Sequence, residues 1–437
     1  MALEQQGVPT IPVSTHVFAR LAKATSVAGG LPTTRNCFVP QPLVGRSPSE
    51  LRDYVEGMDP VHKRPFMQGV IEGLTQPLDD EDMKDASFER DAPRYLEPDT
   101  EDNLRLFFME QGWTDYFPII LPTEERVEAM LKGTSHAADR FVGYMRPTNF
   151  REAWGFDVEK VAINTVMAGA RPDYLPVILT AAASGVSARS SSTTSWATIS
   201  FVNGPIRKEI GMNDGVGAMG PYNHANATIG RAYSLLSQNL QGGSVPGETF
   251  MGSLGNNYTY NSLTFAENEE RSPWEPLHVQ KGFDKETSTV SIFHGCRSTT
   301  FSLGLRKDGW REHVHDMLMG TDAITSPLLV LDPICARQFV DRAGAVDKAK
   351  LQEVISELSQ MPAGRYWDLQ LVQNYIYPRA TFGEEPLATK AKAGKDELIR
   401  VFEPKSVNVV VVGGEANGYW QIYGAHYRTT VSVDEWR

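Results

Sequence analysis

The sequence predicts an α/β fold: two α/β lobes behind an irregular N-terminal extension. Three observations carry that prediction. From residue 113 onward, short apolar runs of strand character alternate with amphipathic helical patterns. The chain's 437 residues exceed what one hydrophobic core usually serves. A hydrophobic fraction of 41% is ample for globular burial. The division that follows is 1–112 as an irregular N-terminal region with an acidic connector, 113–300 as an α/β domain carrying the candidate site, and 301–437 as a second α/β domain.

Residues 1–75 are rich in Pro and Gly with short helical patches. Residues 76–103 hold eleven acidic and three basic residues, so they carry −8 of the chain's net charge of −12. Pro77, Pro93 and Pro98 and a shortage of aliphatics make this stretch a solvated connector with one irregular helix. Pro122-Thr123 opens a helix in which Val127, Met130 and Leu131 share a face, with Gly133 as its stop. Val158, Val161, Ala162, Thr165, Val166 and Gly169 then form one stripe of small apolar residues, suited to close helix packing. Arg171-Pro172 breaks that helix and starts another, with Leu175, Ile178, Leu179 and Ala182 on one side; Pro176 is tolerable there within the first turn.

The Ser/Thr-rich run 187–195 reads as a loop, and 197–202 as a strand ending in Asn203-Gly204-Pro205. A glycine-rich loop, 215–221, leads to a helix from about Asn226 that Gly242-Gly243 ends. Asn261, Leu263 and Phe265 mark one face of a strand, and 289–293 is another. The last third repeats the grammar, with a strand at 327–331, helices at 334–342 and 347–360, and a strand at 406–412 ending in Gly413-Gly414-Glu415. No sequence repeat of roughly 20–50 residues is visible. The aromatic run of Tyr419, Trp420, Tyr423 and Tyr427 reads as an interface.

Composition excludes several classes. A pI near 5.3 lacks the basic footprint of a nucleic-acid binder. Three cysteines, none in a C-x-x-C pair, make neither a disulfide framework nor a four-cysteine zinc site. The first 15 residues show no basic head followed by an apolar run, and no stretch approaches the roughly 18 apolar residues of a membrane helix. A cytoplasmic protein without nucleic-acid or membrane partners is the expectation.

Chemistry is expected outside the carboxyl ends of the strands, where open α/β sheets bind ligands. Two groups of residues stand there. Asn203 together with Asn226, Thr228 and Arg231, near a helix start, would cradle an anion with amide, hydroxyl and guanidinium donors. Neither nucleotide-loop pattern, G-x-G-x-x-G or G-x-x-x-x-G-K-[ST], is present. Glu267 and Glu269, directly after a strand, with His278 downstream, would move protons. The same glutamates with His278 and a distant His136 or His224 could hold a divalent cation, but no ligand spacing demands one, and no other cofactor is evident. His313-Val314-His315 lies in a helical pattern, where residues two apart diverge, so it is no chelate. Cys296, in His294-Gly295-Cys296-Arg297-Ser298, is the rival nucleophile, because a neighbouring His or Arg could favour its thiolate.

These segments carry a likeness. The chain resembles long bacterial proteins, mostly uncharacterised, related to the UGSC family of (seleno)proteins. The residues concerned are Thr33 to Pro40, Trp113 to Pro118, Leu121 to Val127, Glu159 to Pro176, Val202 to Ile206, Ala225 to Arg231, and Ala266 to Trp274. The family's name describes a selenocysteine-or-cysteine, Gly, Ser, Cys motif. This chain has no Cys-Gly-Ser-Cys, and Gly295-Cys296-Arg297-Ser298 departs from it, which argues against a thiol–disulfide role. The resemblance groups the segments into one site without naming a reaction.

The expected function is an enzyme acting on a small anionic metabolite by acid/base addition–elimination, of lyase or hydratase type, in a homo-oligomer. Two alternatives stand beside it: a thiol-dependent redox or transfer enzyme using Cys296, and a non-catalytic ligand-binding or structural oligomer.

Overall fold

The computed structural model describes residues 3–43, 45–78, 94–144, 155–189, 196–241, 254–260 and 263–437. The expected Gly242-Gly243 helix stop, Asn261, most of the 187–195 loop and residues 79–93 of the acidic connector lie outside them. The connector's far end is regular: Thr100 caps a helix at Glu101–Glu110 by accepting from the Asn103 amide.

Six strands form the central sheet: β1 (Ala197–Asn203), β2 (Leu263–Ala266), β3 (Thr289–Leu303), β4 (Pro327–Leu331), β5 (Asn408–Val411) and β6 (Tyr419–Ser432). Their spatial order is β5-β4-β6-β3-β1-β2. The outer pairs, β1 with β2 and β4 with β5, are parallel, and the inner pairings are antiparallel. The topology therefore contains one motif twice. A strand crosses through helices to a parallel outer neighbour, and the chain then returns as a long antiparallel strand on the inner side. The two inner strands, β3 and β6, pair with each other, which relates the halves by a pseudo-two-fold.

Seven helices that follow expected patterns matter for the site. They are α1 (Glu124–Leu131), α2 (Val158–Met167), α3 (Leu175–Ala183), α4 (His224–Gln241), α5 (Trp310–Met319), α6 (Pro333–Ala343) and α7 (Lys348–Leu358). Thr123, Asp157, Asp332 and Asp347 cap α1, α2, α6 and α7 with side-chain oxygens. The apolar stripe of α2 is buried, as its small residues require, and packs with α3 and α4 over Val202, Ala266, Val290 and Ile292 on one half of the sheet. Helices α5, α6 and α7 cover Leu329, Leu331, Val409, Val411 and Ile422 on the other. The opposite face of the sheet closes on itself. Ile199, Phe201, Phe265, Phe293, Val330, Val410 and Tyr423 belong to one cluster drawn from all six strands.

That inner core requires the sheet to curl until its edges meet. Beyond the ends of β2 and β5, the Asn268 amide N–H donates to the Val411 carbonyl at 2.8 Å, and Asn268 Nδ2 donates to the Gly413 carbonyl at 2.8 Å. Gly413 N–H in turn donates to the Asp214 carbonyl at 2.8 Å. The carboxyl ends of both parallel pairs are thereby brought to one seam.

The α/β class is as expected, but strands of both expected lobes join this single sheet, and the expected boundary at residue 300 falls inside β3. The aromatic run at 419–427 lies in the inner strand β6, with Trp420 and Tyr423 buried and Tyr419 exposed. The N-terminal extension is more regular than expected. Strands Val13–Thr15 and Cys37–Val39 pair in parallel around helix Ala19–Ala28, with Cys37, Val39 and Phe66 as a small core. No helix among the described residues is long and apolar enough to cross a membrane.

Replacing Asn268 by Ala removes its side-chain donor to Gly413 from the seam and its acceptor from the local turn to Arg271. Chemical denaturation should show a loss of about 1–2 kcal/mol, whereas an unchanged midpoint would mean that the seam does not hold the sheet closed.

Candidate functional site

β1 and β2 end side by side, so Asn203 and Glu267 come off neighbouring strands into a buried space. Asn203 Nδ2 donates to Glu267 Oε2 at 2.5 Å and to Glu269 Oε1 at 3.0 Å, so one amide holds two carboxylates. Glu267 is fully buried. Its Oε2 also accepts from the Leu277 amide at 2.7 Å, and its Oε1 lies 3.3 Å from the ammonium of Lys348, itself buried. Glu269 Oε1 accepts from Gly204 N–H at 2.8 Å and lies 3.0 Å from Arg207 Nε. Gly204 has φ +81°, and a Cβ there would come within 2.4 Å of the Thr287 carbonyl oxygen, so this position needs glycine.

Arg207 organises the carboxylates around it. Its guanidinium, 3% exposed, donates to the Gly204 and Glu267 carbonyls and pairs with Asp214, Glu269 and Glu270. Burial pushes the Glu270 carboxyl up, but the Arg207 hydrogen bond, a backbone hydrogen bond and the charges of Arg207 and Lys208 together outweigh it and hold the group below the ordinary glutamate range.

His278 is buried close by in sequence, one residue after the amide that binds Glu267. Its Nε2 donates to the Lys285 carbonyl at 3.1 Å, and its Nδ1 has no hydrogen-bond partner among the described residues. Asn203 Oδ1 is likewise buried and unpartnered.

The structure divides the expected site residues in two. Asn203, Glu267 and Glu269 come together. Asn226, Thr228 and Arg231 do not join them, so the expected anion cradle is not formed by these three. Asn226 clamps the glycine-rich loop, accepting from Asn213 N–H and donating to the Asn213 and Ala218 carbonyls. Thr228 Oγ1 bonds back to the His224 carbonyl, one helical turn earlier. Arg231 forms a two-pronged pair with Asp115, both contacts 2.9 Å, and donates to the Pro118 carbonyl. His136 bonds to the Glu435 carbonyl and His224 lies against Tyr174, so neither stands with the glutamates. Among the described residues, no group of three or more His, Cys, Asp or Glu side chains is arranged to hold a metal ion.

Lys348 and Arg207 were not among the expected residues. Arg207 follows the strand-end turn Asn203-Gly204-Pro205, and a charge placed there was the available signal. Lys348 arrives from 81 residues beyond Glu267, with no local mark.

A cavity of about 250 Å³ opens at the equivalent ends of β4 and β5. Val216 to Gly220, Asp332, Val412 to Gly414 and Tyr419 to Gln421 line it. The turns after β4 and β5, at Asp332 and at Gly413-Gly414, and the glycine-rich loop thus share one wall. Asp332 is held by the Cys335 and Tyr419 amides at 2.8 and 2.6 Å.

A model of the UGSC family matches residues 1–66. The chain is related to the UGSC family. No curated protein matches, and no solved structure matches. Of the segments that carry the resemblance, Thr33 to Pro40 lies within the UGSC match and the others lie beyond it. The UGSC-matched residues hold Cys37 and Asp59, both buried. Asp59 accepts from the Phe38, Val61 and His62 amides and from the His62 ring. Burial, with Asp59 adding to it, pushes the Cys37 thiol up. The glutamate cluster lies outside the UGSC match, so its chemistry has to be argued from its own geometry.

Cys296 belongs to the inner core, fully buried, where desolvation pushes its thiol up to about 12. A thiol reagent at pH 8 should leave Cys296 unmodified in the folded chain and label it after unfolding. Rapid native labelling, located by peptide mapping, would revive the thiol mechanism.

Proposed function

We propose that the protein is an enzyme acting on a small molecule by acid/base proton transfer, of lyase or hydratase type, at the carboxyl ends of β1 and β2. One observation carries the reading: two carboxylates bound to a single Asn203 amide, with Lys348 and Arg207 as their cations. Buried ion clusters of this kind are poor devices for stability, because the cost of desolvation offsets the attraction. They are common where a proton has to be held and moved. In this reading Glu267, enclosed by three donors, supplies a fixed charge. Glu269, whose side chain is 8% exposed, is the group that gives and takes the proton. Asn203 sets the spacing between them.

The thiol alternative has less physical support, since Cys296 is desolvated and far from the thiolate form. Homo-oligomerisation and a cytoplasmic setting belong to the same proposal. The aromatic run, part of the inner strand β6, adds no separate support for a subunit interface.

Screening a metabolite library for binding and turnover, with the wild type and Glu269→Gln side by side, tests this directly. The variant should keep its fold by circular dichroism and lose at least about 100-fold in turnover. Equal turnover by the variant would remove Glu269 from the chemistry.

A further inference from the structure

Lys348 and Lys281 are two ammonium groups at one end of the glutamate cluster, and they are short of anionic partners. Lys348 is 1% exposed, and its hydrogen-bond partner among the described residues is Glu267 Oε1 at 3.3 Å. That is longer than the roughly 2.7–2.9 Å of a tight charge-assisted bond. The Glu267 charge is moreover shared with Asn203 and the Leu277 amide.

Lys281 follows the short helix Leu277–Gln280, which also carries the amide that binds Glu267. Its Nζ meets two neutral groups, Asn408 Oδ1 at 3.0 Å and the Tyr427 ring at 4.1 Å. Asn408 is the first residue of β5 and Tyr427 lies on β6, so Lys281 reaches across to the second half of the sheet. Burial, and then repulsion from Lys348, pull its protonation below the ordinary lysine range. An ammonium carries three donor positions, so both groups have capacity left over. An oxyanion beside them would relieve their repulsion and fill that capacity. Lys281 is only half-buried, which leaves a way in from solvent.

We propose that Lys281 and Lys348, with Asn408 beside them, bind a small oxyanion group, a carboxylate or phosphate, of the molecule handled at the Glu267–Glu269 site. The proposal rests on the reading of that site as one that takes a small molecule. It assigns the anionic end of the substrate to a pair of lysines instead of to Arg231.

The test is calorimetric titration of the full-length chain with inorganic phosphate and, separately, with succinate, at constant ionic strength so that screening does not imitate binding. At least one probe should bind saturably to the wild type. Lys281→Met should weaken that binding by about tenfold or more, and Lys350→Met, an exposed lysine of α7, should leave it within about twofold. Failure of both probes to bind the wild type, or equal affinity in Lys281→Met, overturns the proposal. Glu269→Gln should bind the probe as the wild type does. Full turnover by that variant would therefore sink the proton-transfer role while leaving the lysine pair standing.

Discussion

Glu267 carries its carboxylate out of water at the place where the two halves of the sheet are tied together, and it takes donors from three directions to hold it there. Asn203 comes from the end of β1, the Leu277 amide from the turn after β2, and Lys348 from the start of α7 in the other half. Removing any one leaves a buried charge short of partners, which is far more costly than never having buried it. The next residue, Asn268, stitches the edge strands β2 and β5 through the Val411 and Gly413 carbonyls. Closure of the sheet and composition of the charged cluster are therefore one constraint. The curl that packs the inner core is what brings Lys348 to Glu267.

The pseudo-two-fold gives this arrangement a counterpart. At the ends of β1 and β2 the space is filled with paired charges. At the ends of β4 and β5 the corresponding space is an open cavity, with Asp332 the carboxylate lining it. Each is covered by a loop from the opposite half. Lys348 reaches over the first, and the glycine-rich loop at 215–220 closes on the second. A Cβ on Gly414 would meet Val216 Cγ2 at 2.3 Å, so those loops touch where the second site is roofed. One topology has been filled in two chemically different ways.

Much of the helical layer was legible because it depends on local rules. The small-residue stripe of α2, the Asp caps of α6 and α7 and the Pro within the first turn of α3 all declare themselves within a few residues. The strand-end turns were legible for the same reason, and Asn203, Glu267 and Glu269 do meet. What escaped depends on distant partners. Arg231 looks like a free cation at a helix start, yet its carboxylate, Asp115, lies 116 residues upstream. Strand β6 was hidden because its glycine, histidine and tyrosines lack the plain aliphatic run that marked β5. The duplication escaped too, because its unit is far longer than the window in which repeats are usually sought.

The most direct check on this account is a double-mutant cycle between Glu267 and Lys348, measured by equilibrium denaturation. Glu267→Gln and Lys348→Met should each cost about 3–5 kcal/mol, and the double variant should cost no more than either single one, a coupling of about 3 kcal/mol or more. Costs that simply add would show that the two groups act independently, and the cluster could then not be what ties the halves of the sheet together.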